Sequence, residues 1–217
     1  MTGLGSLRRL LAEPEARAPA PEVCELCATP VPEQHPHLVQ VVDRRMLCAC
    51  GPCAFLFDNP GAGGGEYRRV PDRYLSDPGF DLTAAQWEAL QIPVGLAFFL
   101  RNSARDEIVA CYPGPAGATE SELSLTAWAS GVGAGRLAAE LAPDVEALLV
   151  RRQEKGGTDE RSGPGGCLLV PIDACYRLVG LVRLHWKGFD GGAVAWREID
   201  AFFAELHELA RPLPQGG

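Results

Sequence analysis

Five of the eight cysteines and two of the four histidines fall between positions 24 and 53, as Cys24-Glu-Leu-Cys27, His35-Pro-His37 and Cys48-Ala-Cys50-Gly-Pro-Cys53. A Cys-x-x-Cys turn brings two sulfurs to one side of the backbone. A second such turn a short segment away completes a tetrahedron of thiolates around a metal ion. The preferred ligands are Cys24, Cys27, Cys50 and Cys53. Cys48 and Cys50 are two apart and face the same way on a strand, so Cys48 is a reserve ligand, and His35 or His37 is a substitute for a thiolate. Four sulfurs suit zinc first and iron second. The flanks lack the glycine and aromatic residues of rubredoxin cysteine pairs, so a rubredoxin-like iron redox carrier is the alternative reading. A spare thiol beside a metal can serve metal transfer or redox sensing, or be a neighbour with no role.

The remaining candidates are weaker. Cys111, Cys167 and Cys175 fall on or beside expected strands and read as buried, inert thiols. A Cys175/His185 nucleophile pair would make a thiol-dependent enzyme, but no third residue is identifiable to orient the base. His207 reads as an exposed helix residue, and Asp173 and Asp190 as turn residues. The glycine run at residues 59–65 lacks the following Lys-Ser/Thr of a phosphate-binding loop and reads as a linker.

These residues sit on a recognisable scaffold. Residues 1–20 are rich in Ala, Pro, Arg and Glu and read as a disordered tail. Residues 21–58 form a Cys-rich metal-binding module of treble-clef or zinc-ribbon type: a knuckle, strands at 38–42 and 46–47, and a short helix opened by Cys50-Gly-Pro-Cys53, with Pro52 in its first turn. A segment this small holds little core, and a structural zinc can supply on the order of 10–16 kcal/mol to it. Residues 66–213 form a second domain. Thr83 and Gln86 make a capping box for a helix over 84–90, with Leu82 and Trp87 as its hydrophobic staple. Strands are expected at 94–100, 107–112, 147–150, 167–170 and 176–186, and helices at 121–129, 136–141 and 194–210. The connection at 153–166 is polar and glycine-rich, hence exposed and mobile. Hairpin-linked strands with interspersed helices give an α+β domain with an antiparallel sheet of about five strands.

Composition limits the function. The 217 residues are 47% hydrophobic and 22% charged, with a net charge of −8 and a pI near 5.1. An acidic body is ill suited to nucleic acid or to an anionic membrane surface. Arg8 and Arg9 are followed by no apolar stretch of signal-peptide length, and no apolar run reaches the roughly 18 residues of a membrane span. A cytoplasmic, reducing compartment follows, where clustered cysteines bind metal rather than pair.

Several segments resemble a bacterial, actinobacterial-type family encoded beside nickel–iron hydrogenase genes. They are CELC with HPHL and LCACGPCAFLF, then RVPDRYL, LQIPVGLAFFLRN, YPGPAGATESEL and LVPIDACYRLVGLVRLHWKGFDGG, in this order from Cys24 onward. No catalytic activity carries over from the resemblance. By association it implies an accessory role in hydrogenase assembly, maturation or electron delivery, with a hydrogenase subunit or maturation factor as protein partner. The expectation is thus a non-enzymatic zinc-binding accessory protein.

Overall fold

The computed structural model describes residues 21–59, 61–152, 166–188 and 191–214. The expected tail at 1–20, most of the 153–166 connection and Asp190 lie outside the described residues.

The first part is built on very short elements. An isolated bridge between Val23 and Pro30 closes the first knuckle, in which Cys24 N donates to Thr29 O and Ala28 N donates to Cys24 O. Strands β1 (His37–Gln40) and β2 (Arg45–Cys48) form a hairpin whose turn places Arg44 at φ 52°. Helix α1 (Gly51–Phe55) follows at once, with proline in its first turn. The glycine run is not a free linker: Ala62–Gly65 forms a tight 3-10 turn that feeds strand β3 (Tyr67–Arg69), which pairs antiparallel with β1. Gly63 is needed here, since at φ 58° a Cβ would stand 3.1 Å from the Phe57 ring. The sheet order is β2-β1-β3, over a core of only Cys24, Leu38, Leu47, Ala49 and Ala54.

Among the described residues the second part is a seven-stranded sheet, two strands more than expected. Its strands are β4 (Leu75–Ser76), β5 (Leu96–Asn102), β6 (Glu107–Gly114), β7 (Gly117–Ser121), β8 (Glu146–Arg151), β9 (Gly166–Pro171) and β10 (Arg211–Pro212), in the order β10-β4-β9-β8-β5-β6-β7. All neighbours are antiparallel except β10 and β4. Helices α2 (Ala84–Ala89), α3 (Leu125–Ser130) and α4 (Arg136–Glu140) accompany one face, and α5 (Ile172–His185) and α6 (Gly192–Leu209) the other. Along β5, Leu96, Phe98 and Leu100 join the α5/α6 core, while Ala97 and Phe99 join the α2/α3/α4 core. Both faces being covered, the central strands read as continuous apolar runs rather than alternating ones. The mixed helix-and-sheet class and the antiparallel pairing are as the sequence indicates, as is the β8–β9 hairpin pair. The Thr83–Gln86 capping box is formed, and Leu82 and Trp87 meet in one cluster.

Three further expectations are corrected. Residues 176–186 are not a strand but the body of α5. The buried positions Ile172, Cys175, Leu178, Val179 and Val182 recur every three or four residues, whereas Leu184, which a strand would place on the same face as Leu178 and Val182, is 74% exposed. Asp173 therefore stands in the first turn of a helix, not in a loop. The helix expected at 121–129 begins only at Leu125, because residues 117–121 extend the sheet as β7.

The two parts touch. Val39 and Val70 enter the α5/α6 core, Arg44 pairs with Glu120, and Arg68 reaches Asp144 Oδ2 at 3.3 Å. Tyr176 on α5 donates to the Arg44 carbonyl at 3.3 Å. Among the described residues no helix is long and apolar enough to cross a membrane.

Candidate metal centre

The first knuckle carries Cys24 and Cys27, and the step from β2 into α1 carries Cys50 and Cys53. The two meet because Glu25 N donates to the Cys48 carbonyl, and the Glu25 carboxylate accepts from Cys48 N at 2.9 Å and pairs with Arg45. These links lay the knuckle against the end of β2. One sulfur from each of Cys24, Cys27, Cys50 and Cys53 then lies within 4.8 Å of the other three. Cys27 Sγ and Cys50 Sγ are 3.6 Å apart. Ligands at about 2.3 Å in a tetrahedron stand roughly 3.8 Å apart, so this spacing accommodates an ion with little movement.

The electrostatics of the four sulfurs differ. Burial pushes the Cys24 thiol up, but backbone N–H groups of Cys50, Leu26 and Cys27 outweigh it and bring the pKa down to about 6. The Thr29 hydroxyl, 3.4 Å from Cys27 Sγ, and the Thr29 backbone N–H lower the Cys27 thiol. Cys53 is pushed up to about 12 by hydrogen bonding with Cys50 and Cys27. A cation entering the site displaces these protons, and the N–H donors already aimed at Cys24 Sγ favour its thiolate. The cluster can hold a metal ion; tetrahedral sulfur accepts zinc or iron.

The three reserve residues do not join this set. Cys48 is opposite His37 across the β1–β2 pair, and His35, His37 and Cys48 form a second group with one donor atom each within 4.8 Å. Burial and the nearby Glu22 and Glu25 carboxylates push the Cys48 thiol up. His37 Nδ1 lies 3.0 Å from Asp173 Oδ2 at the head of α5. No local signal marks Asp173 as a site residue, since it lies 136 positions from His37 in a stretch that reads as a turn. Glu25, which ties knuckle to strand, carries no motif either.

The other thiols are far from such chemistry. Cys111 on β6, Cys167 on β9 and Cys175 on α5 are all buried, and burial raises each thiol, Cys111 to about 11. Cys175 and His185 lie ten residues apart on one helix, about 15 Å along its axis, and cannot form a pair.

The sequence profile of a family of unknown function (DUF5947) matches residues 23–210. The chain belongs to this family. The match spans both parts, so the Cys-rich module and the sheet domain together constitute the DUF5947 unit. No curated protein and no solved structure matches the chain.

Proposed function

We propose that this DUF5947 protein is a non-enzymatic metal-binding accessory protein. One zinc ion held by Cys24, Cys27, Cys50 and Cys53 would fold a treble-clef-like module that serves as a docking element for a protein partner. The observation that carries this reading is the convergence of the four sulfurs, with the 3.6 Å Cys27–Cys50 spacing, in a module whose apolar core is very small. Zinc supplies to such a module the fixed geometry that packing cannot. The docking role is supported by three large apolar side chains left exposed on the cysteine-bearing elements, Leu26, Phe55 and Leu56. The resemblance to proteins encoded beside nickel–iron hydrogenase genes makes a hydrogenase subunit or maturation factor the partner to test, in the cytoplasm, where thiolates stay reduced.

Co-purification of the full chain with hydrogenase subunits and maturation factors tests the reading. Retention of one of them, lost in Phe55→Ser/Leu56→Ser while the metal stays bound, is the expected result. No such partner, with hydrogenase activity unchanged on deletion, contradicts it. The iron alternative shares the same sulfurs and separates by colour: zinc gives no visible absorption, an iron tetrathiolate does.

A further inference from the structure

We propose a second metal site in the same module, made by His35, His37 and Cys48 and separate from the four thiolates. The three residues converge from two directions. His37 and Cys48 are cross-strand partners in the β1–β2 register, and His35, just before the strand, brings its ring beside that of His37 with centroids 4.8 Å apart. One donor atom of each lies within 4.8 Å of the others.

The imidazoles are held as metal-binding imidazoles are held. His35 Nδ1 lies 2.7 Å from the Pro32 carbonyl oxygen, which can only accept, so Nδ1 carries the proton. His37 Nδ1 likewise faces Asp173 Oδ2 at 3.0 Å. In both rings this leaves the Nε2 lone pair free to ligate, the arrangement in which a carbonyl or carboxylate behind the ring orients it toward an ion. His35 supplies the second, independent indication. Its side chain is only 3% exposed, and Nε2 is buried with no hydrogen-bond partner. A buried acceptor without a donor is costly, and a cation is what would satisfy it.

Two imidazoles and one thiolate suit a divalent ion of the zinc class. Three protein ligands leave the fourth position for water or an exchangeable group, unlike the closed four-thiolate site. His37 is 24% exposed at its side chain, which gives that position access to solvent. Asp173 belongs to α5 of the sheet domain, so occupancy of this site is tied to the seating of the module on the sheet. None of the three ligands belongs to the four-thiolate set, so this site stands or falls independently of the function proposed above.

Zinc equivalents on the full chain, measured by native mass spectrometry after equilibration with zinc, decide it. The expected result is two zinc ions per chain, falling to one in Cys48→Ser, in His37→Gln and in Cys27→Ser. One ion that survives Cys48→Ser and is lost in Cys27→Ser overturns this proposal and leaves the four-thiolate site. One ion lost in Cys48→Ser but kept in Cys27→Ser sustains this proposal and removes the other. No bound zinc overturns both. Asp173→Asn touches no ligand atom and guards against misfolding of the ligand variants. It should weaken the second zinc by about 10–100-fold and leave the first unchanged; an unaltered second affinity would remove Asp173 from its orienting role.

Discussion

Arg73→Met breaks the ion pair that anchors the end of β8 beside the start of α5. Glu146, with a fully buried side chain, accepts from Arg73 Nε at 2.8 Å and from an Arg73 terminal nitrogen at 2.7 Å, and from Ala142 N at 2.9 Å. Glu146 also stands opposite Pro171, two residues before Asp173. Methionine preserves most of the arginine stem but leaves a buried carboxylate with one backbone donor. Orphaning a buried charge costs about 3–5 kcal/mol. Arg73 is itself 39% exposed, so water can reach part of the vacated space and the loss should lie near the lower limit. For a chain of this size that is a fall in Tm of roughly 6–12 °C. Chemical denaturation followed by circular dichroism measures it, together with Arg73→Met/Glu146→Leu. Replacing both charges should recover most of the loss, because an apolar pair needs no hydrogen bonds. A single-variant loss below about 1 kcal/mol, or a double variant as unstable as the sum of its parts, would refute this account of the pair.

Alkylation of the native, chelator-treated protein at mildly alkaline pH should label cysteines of the 24–53 region and spare Cys111, Cys167 and Cys175 until the chain unfolds; peptide mass spectrometry reads this directly. Gly133→Ala should cost about 1–3 kcal/mol, since its Cβ would stand 2.6 Å from Trp128 Nε1 and 2.8 Å from the Trp128 carbonyl oxygen; a thermal melt of the variant checks it. His207 has a folded-state pKa lowered from 6.5 by burial and by Arg151. Its contribution to stability is present above pH 6.5 and lost as pH falls through the lower folded value. Proton NMR of the His207 ring should therefore give a midpoint below 6.5, and His207→Gln should flatten the corresponding part of the stability–pH curve.

What the sequence revealed was what local spacing determines. Cys-x-x-Cys turns, the Thr83–Gln86 box and the long apolar face of α6 each need only neighbours within a few positions. α5 reads as a strand in the sequence because Leu178, Val179, Leu181, Val182 and Leu184 are all apolar. That density fits a period of two as well as one of 3.6, and only burial by α6 and the sheet separates them. β4 and β10 are two residues long; β4 exists because β9 offers an edge and β10 because β4 then offers the next, which no local pattern announces. The glycine run looked like a linker because flexibility and a turn with three positive-φ residues call for the same residue. The division of the seven candidate ligands into two groups was equally hidden. Alternation along β2 places Cys48 and Cys50 on the same side only while the strand lasts. β2 ends at Cys48, and the chain turns into α1 before Cys50 can share its direction.

X-ray absorption at the zinc edge of the Cys48→Ser variant reads the first shell of the four-thiolate site alone, because that substitution removes the only other thiol of the module. Zinc with four sulfur neighbours at about 2.3 Å and no nitrogen or oxygen shell is the expected result. A first shell containing nitrogen or oxygen at about 2.0 Å, or a variant that binds no metal, would contradict it.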